Sequence, residues 1–454
     1  MKSESLKPHV IFLLFPVLFY AILPASVFAA EKTYTLEQCM EMALTRNPAV
    51  LVSVEKKNQA EWRKKTAYDD FLPKLNMDYS YTYLDNAYNV NANFAGIDEL
   101  SVTVHNNYRM GLHIDQPLFT GYRLIESYRL ADLGLKEAVA GEELATLEIT
   151  YQTIRAYYNL LMSTQFQRVR DNTVTTLTSH LNDSQQFYKN EIIPLNDLLE
   201  SEVYLANAMQ DARTAASRTR NAKTNLVTII KEPLNPDFTV EDSPDTTLIT
   251  SSLDLLTDQA LETRPELKQA NYGVDASKKL IVLAKSTYFP TVTMSVSHNR
   301  YGGDIMVDGD GLSDLQDSEE TLAGVYATWE LFAWGQTGHK VNEAIAASRE
   351  AKQRLVQVMD EIRMEVHDNF TNAHTAYANI ATAQKAVEQA RENLRMNQLR
   401  YKNQIATNTD VLDAQTLLTD TETKYYQAIY HYNIWLAGLS RAVGVESWRD
   451  LKVN

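Results

Sequence analysis

Residues 359–401 read MDEIRMEVHDNFTNAHTAYANIATAQKAVEQARENLRMNQLRY. An apolar or small residue recurs at every seventh position: Met359, Val366, Ala373, Ile380, Val387, Leu394 and Tyr401. Seven-residue spacing is the seam of a coiled coil, because 3.5 residues per turn keep one stripe facing a neighbouring helix. The stretch lies inside 99 consecutive residues, His339 to Ala437, without Gly or Pro. Compact domains break their elements every dozen residues or so, so this reads as very long helix. From Gly338 to Lys402, roughly 65 residues span about 100 Å, far too long for a compact domain of this size.

The pattern continues outward. The returning segment repeats Val411, Leu418, Tyr425, Tyr432 and Leu439, and the first half of the chain carries Leu198, Leu205, Ala212, Thr219 and Leu226. Residues 142–193 and 195–232 also lack Gly and Pro. The two halves match each other. Shifted by 217, Ala43-Leu44, Pro48, Phe71-Leu72-Pro73 and Met77 fall on Ala260-Leu261, Pro265, Tyr288-Phe289-Pro290 and Met294. Shifted by 213, Tyr188-Lys189-Asn190 falls on Tyr401-Lys402-Asn403, and Asp197-Leu198-Leu199 on Asp410-Val411-Leu412. A run of matches at nearly constant offset is an internal twofold repeat. The repeats occupy 30–230 and 253–441, joined by a Pro- and Asp-rich linker at 231–252 and followed by a tail at 442–454. Each reads as a helix of about 35 residues, a β-hairpin (75–118 and 290–331), a very long helix, a turn and a returning helix.

Four segments alternate with period two. Leu75, Met77, Tyr79, Tyr81 and Tyr83 oppose Asn76, Asp78, Ser80 and Thr82. Tyr108, Met110, Leu112 and Ile114 oppose Arg109, Gly111, His113 and Asp115. Val292, Met294 and Val296 oppose Thr291, Thr293, Ser295 and Ser297; Val325, Ala327, Trp329 and Leu331 oppose Tyr326, Thr328 and Glu330. Each is about the length of a tilted membrane strand, and the aromatics suit an interfacial girdle. A sheet packed on a helix is the plainer alternative. As membrane strands, four per chain leave two edges that cannot face lipid, so several copies must share one wall: two give eight strands, three give twelve. The loops 86–106 and 299–321 then lie outside the cell. Asp308-Gly309-Asp310-Gly311 slightly resembles a calcium loop but lacks its ligand spacing, and the acidic stretch 304–320 reads as solvated.

The helix turns carry a shared signature. Asn190 and Asn403 suit the left-handed backbone of a tight helix end. Asn196 and Thr409 suit N-caps, with Asp197 and Asp410 beside the positive dipole end. Asp410 and Asp413 are three apart, on one helix face. Repeated around an axis, that face becomes a ring of carboxylates, which selects cations and binds blocking divalent ions.

The N-terminus reads as an export signal at 1–29: Lys2 and Lys7, an apolar run from Val10 to Leu23, and Val27-Phe28-Ala29 before cleavage. That run is about 14 residues, short of the roughly 20 of a spanning helix. The single cysteine, Cys39, excludes an internal disulfide. A net charge of −15 speaks against nucleic acid as a partner. His367 and His374 lie about 10 Å apart along a helix, too far to share a metal, and no HExxH, GxSxG or Walker motif occurs. An enzyme, a resident metal and a cofactor therefore have no support. A structural coiled-coil protein of the periplasm explains the helices but not the strands or the repeat.

The chain resembles the TolC-like outer-membrane efflux family. The carriers are Thr35-Leu36-Glu37-Gln38 with Ala43-Leu44 and Asn47-Pro48, the step Phe71-Leu72-Pro73-Lys74-Leu75, and the returns Pro117-Leu118-Phe119-Thr120-Gly121 and Leu331-Phe332-Ala333-Trp334-Gly335. The resemblance implies a homotrimer, mainly α, with a twelve-stranded barrel in outer-membrane lipid continued by an α-barrel through the periplasm. It implies a passive efflux or type I secretion duct that docks a periplasmic adaptor and an inner-membrane transporter of RND or ABC type. It makes Asp410, Asp413 and Tyr401, with Asp197 and Glu200, the residues of the periplasmic entrance. It makes Asn190, Glu191, Asn403 and Gln404 the adaptor-contact turns. Glu191 and Gln404 depart from the Gly usual there, and an Arg near Ala406 is missing.

Overall fold

The computed structural model describes residues 32–85, 89–90, 100–101, 105–233, 238–305, 307 and 318–446. The leader at 1–29, the Asp308–Gly311 run and the end of the tail lie outside them. The described chain opens with β1 (Lys32–Tyr34), α1 (Leu36–Arg46) and α2 (Pro48–Asp69). Next come β2 (Lys74–Tyr83), the two-residue strands β3 (Asn89–Val90) and β4 (Leu100–Ser101), and β5 (Asn106–Phe119). Helices α3 (Arg123–Lys189) and α4 (Leu195–Ile230) form the first long hairpin. After β6 (Phe238–Val240) follow α5 (Leu253–Thr263), α6 (Pro265–Lys285) and a 3-10 turn at Ser286–Tyr288. Strands β7 (Thr291–Gly302) and β8 (Ser318–Thr328) lead into the second long hairpin, α7 (Gln336–Lys402) and α8 (Asn408–Val443). Helices α3 and α7 have 67 residues each, α4 and α8 have 36 each.

The seam read from the sequence is buried at Val366, Ala373, Val387, Leu394 and Tyr401, with Met359 and Ile380 partly covered. On α8 it is buried at Val411, Tyr432 and Leu439. The main core gathers Cys39, Ala43, Ile154, Tyr158, Leu226, Ile230, Leu256, Ala260, Ile362, Leu436 and Leu439, far along the hairpins from their turns.

Several expectations need correction. The helix of about 35 residues is two helices in each half, broken at Asn47-Pro48 and Arg264-Pro265. Proline lacks the donor of a continuing turn and drives the preceding residue extended; ψ is 126° at Asn47 and 123° at Arg264. Asn47 then caps α2 by accepting from the Ala49 N–H at 2.9 Å. Arg264 is buried, and its guanidinium donates to both Glu266 oxygens (3.0 and 2.6 Å), to Glu365 (2.9 Å) and to the Ala442 carbonyl (3.0 Å). One break thus ties α6 to α7 and to the end of α8.

The fourth strand stops at Thr328, so Trp329 and Leu331 lie outside it, 57% and 78% exposed. The loops are shorter than 86–106 and 299–321: β5 begins at Asn106, β7 runs to Gly302, and β3 pairs β4 within the first. The linker is more than a connection. Its β6 pairs in parallel with β1, and Tyr157 and Tyr430 donate to the Glu241 carbonyl (2.6 Å) and the Asp242 carboxylate (2.8 Å).

The large sheet is antiparallel in the order β2-β5-β7-β8. Its register lines Asp78 with Gly111, Asn299 and Glu320, and lines Met77 with Leu112, His298 and Thr321. One face is therefore polar, and the other begins apolar at Leu75, Met77, Leu112, Ile114, Met294 and Val325. Leu75, Met77, Tyr79, Tyr81 and Tyr83 are all exposed, and the strands pack on one another rather than on a helix. The helix-covered alternative fails on this arrangement.

Candidate functional site

The turns at the far ends of the hairpins have one backbone. Helix α3 ends at Lys189 and α7 at Lys402; Asn190 and Asn403 follow with φ of −94° and −93°. The left-handed residue is the next one, Glu191 and Gln404, each at φ 59°. This corrects the assignment to the asparagines. Their side chains instead bind back onto the helix, donating to the Gln186 carbonyl (2.9 Å) and the Leu399 carbonyl (2.8 Å). A side chain in the left-handed region costs about 1–2 kcal/mol, which is why glycine suits the place.

The caps also differ from expectation. Helix α8 is capped by Thr407: its hydroxyl accepts from the Asp410 N–H (3.2 Å), and the Asp410 carboxylate accepts from the Thr407 N–H (2.8 Å). Thr409 lies inside the helix. Helix α4 begins after Pro194 with no side-chain cap, and Asn196 donates to its neighbour Asp197 at 2.7 Å. The bonds from Thr407 hold the Asp410 carboxyl below the ordinary carboxylate range, so it is charged near neutral pH. Asp410 and Asp413 both face solvent, between the buried Val411, Leu412 and Ala414.

Tyr401, Asp197 and Glu200 meet elsewhere, at a buried junction of α3, α4, α7 and α8. Tyr401 is 4% exposed, its ring against His180 (4.8 Å) and Phe187 (5.4 Å), its hydroxyl 3.0 Å from Ser184 Oγ. Asn408 is the centre. Its Nδ2 donates to the Asp197 carbonyl (3.1 Å) and the Glu200 carboxylate (3.0 Å). With both donors used, Oδ1 faces Ser201 Oγ (2.9 Å) and accepts from His180 Nε2 (2.7 Å). The neutral imidazole therefore carries its proton on Nε2. Lys402 pairs with Asp183 at 3.4 Å on the flank.

His180, Asn408, Ser184 and Ser201 escaped the sequence reading. A signal was present: Thr173 and His180 on α3, like Asn408 and Gln415 on α8, are seven apart. They form a polar seam. Thr173 and Thr419 hydroxyls lie 2.9 Å apart, and Gln415 Nε2 donates to Thr419 at 3.1 Å.

Comparison with known proteins places this geometry. The family model for outer membrane efflux proteins matches residues 39–230 and 256–445, both hairpins included.

The chain belongs to the outer membrane efflux protein family.

Members of this family are channel proteins rather than enzymes, and this one is a protein of the Gram-negative outer membrane that reaches into the periplasm. The outer membrane protein TolC of Escherichia coli is 22% identical over 432 residues, 92% of this chain and 83% of TolC. The solved outer-membrane channel OprN superposes with a TM-score of 0.77 at 17% identity, covering 91% of this chain and 90% of OprN. VceC of Vibrio cholerae gives 0.75 at 18%, covering 90% and 96%. At such identity the likeness establishes the fold of an efflux-family channel subunit.

Proposed function

We propose that three copies of this efflux-family chain close one duct from the periplasm to the outside. The reading rests on one observation: the sheet has an apolar face that no helix covers, and edges β2 and β8 that no described strand pairs. Unpaired N–H and C=O groups in lipid cost several kcal/mol each. Joining β8 of one copy to β2 of the next removes every edge, and twelve strands then bury the apolar faces in outer-membrane lipid. The equal lengths of α3 and α7, and of α4 and α8, support the twofold repeat, with the long helices continuing the duct as an α-barrel.

On this reading residues 1–29 are the export signal, 30–230 and 253–441 the repeats, and 231–252 a segment clasped around the middle of the helices. The turns bearing Asn190, Glu191, Asn403 and Gln404 receive a periplasmic adaptor, beyond which an inner-membrane pump of RND or ABC type supplies the energy. The subunit itself is passive. Asp410 and Asp413 ring the entrance, Tyr401, Asp197 and Glu200 hold its walls, and residues 380–430 move outward to open it.

Conductance across planar bilayers tests both levels. The detergent-purified protein conducts as a trimer, and divalent cations on the turn side block it. In the double variant D410N/D413N that block disappears. Block that survives intact would reject the ring, and a protein that never conducts would reject the duct.

A further inference from the structure

The polar junction sits where two hairpins must part for the proposed entrance to open, and its chemistry is unlike the rest of the seam. Elsewhere α7 and α8 bury Val366, Val387, Leu394, Val411 and Leu439. Between α3 and α8 near the turns Leu177 and Leu412 share an apolar cluster, but beside them the contact is Thr173, His180, Asn408, Gln415 and Thr419, all buried. Among the described residues Gln415 Oε1 has no hydrogen-bond partner. Such a contact is weaker than an apolar one, and it depends on every donor meeting its acceptor.

His180 is the member that can change charge near neutral pH. It is 5% exposed and makes one hydrogen bond, the Nε2–H bond to Asn408. Asn408 in turn binds both α3 and α4, through His180, Ser201, Glu200 and the Asp197 carbonyl.

We propose that the His180–Asn408 contact is a proton-released latch, holding α8 to α3 and α4 while the imidazole is neutral and letting go when it is protonated. This rests on reading the turn end as the channel entrance. The added proton enters on Nδ1, leaves the Nε2–H bond to Asn408 in place, and brings a full positive charge to a ring that is 5% exposed. The titratable groups of the junction offset that charge only in part. On α3, Asp183 is engaged by Lys402 of α7. On α4, Glu200 accepts from Asn408 and Thr409, and Asp197 from Asn196. On α7, burial keeps the Tyr401 phenol protonated. On α8, the Asp410 carboxylate is spent in its own cap.

The sign follows from burial. Desolvation pushes the His180 pKa below its ordinary 6.5, against smaller upward pulls from the Asn408 bond and Asp183. The latched form resists the proton that the released form accepts. The latch is therefore at full strength above about pH 6.5, and its closed-to-open ratio falls by up to about tenfold per pH unit below that, until the depressed pKa is reached.

The test uses the whole mature trimer, wild type and His180→Gln, whose amide still donates but does not titrate. Hydrogen exchange is followed for 408–415, with 220–230, at the other end of α4, as internal control for the intrinsic pH dependence of exchange. Between pH 6.5 and 5.5 the relative protection of 408–415 should fall by up to about fivefold in the wild type and stay flat in His180→Gln. Equal pH dependence in both, or none in the wild type, overturns the latch. The wild-type measurement decides even if the variant fails to assemble. Bilayer conductance over the same range separates the two readings. A conducting trimer with pH-flat exchange overturns the latch alone. Proton-dependent exchange in a trimer that never conducts keeps the latch and rejects the channel.

Discussion

Tyr188 in the first turn is 39% exposed, whereas Tyr401, which matches it at an offset of 213, is 4% exposed. The same offset sets the exposed Leu195 against the buried Asn408, and the uncapped Pro194 against Thr407 with its reciprocal cap. Yet the backbones agree, down to Ile192 N–H donating to the Phe187 carbonyl (2.9 Å) and Ile405 N–H to the Arg400 carbonyl (2.8 Å). One turn geometry therefore serves two roles. The first turn exposes an apolar surface at Ile192, Leu195, Leu199 and Val203. The second is tied into its neighbour by hydrogen bonds. The two turns share the path of the chain; the side chains that differ at matching positions decide which is held.

Matched substitutions break or sharpen this contrast. Local opening free energies from hydrogen exchange at the turns are the suitable measure, because global unfolding of a membrane oligomer is not two-state. The largest difference is expected for the tyrosines. Tyr401→Ala removes a buried ring and should cost about 3–5 kcal/mol locally, and Tyr188→Ala less than about 1. Equal losses would mean that the second turn is not held by burial. Next is Asn408→Leu, which copies the first turn into the second. It strands His180, Ser201 and Glu200 and should cost about 2–3 kcal/mol, while the reciprocal Leu195→Asn should stay within about 0.5. Thr407→Ala deletes the cap of α8 and should cost about 1 kcal/mol, where Pro194→Ala has no cap to lose. The smallest effect tests the shared backbone. Glu191→Gly and Gln404→Gly should each stabilise their turn by about 0.5–1 kcal/mol, and by the same amount. A gain in only one would show that the two turns are not equivalent.

How far the sequence could be read depended on whether a feature belongs to one element or to several. The long helices were legible from the missing Gly and Pro and from the spacing of Val366, Ala373, Val387 and Leu394. The strands were legible from alternation at Leu75 to Tyr83. Helix breaks at Pro48 and Pro265 were visible as residues but were absorbed into one long period. The left-handed position falls one residue later than the sequence suggests, because Asn190 and Asn403 look better suited to it than Glu191 and Gln404. The capping residue of α8 is Thr407 rather than Thr409, a choice the sequence leaves open because in Thr407-Asn408-Thr409 all three can cap.

The sequence alone determined that very long helices follow alternating strands, and where those long helices turn back. These are periodicities and backbone preferences, set within a dozen neighbouring residues. Only the tertiary structure decided that Tyr401 is buried and Tyr188 is not, and that His180 meets Asn408 across 228 positions of chain. A side chain's burial and its partner depend on which helices lie against it, and no local pattern carries that information.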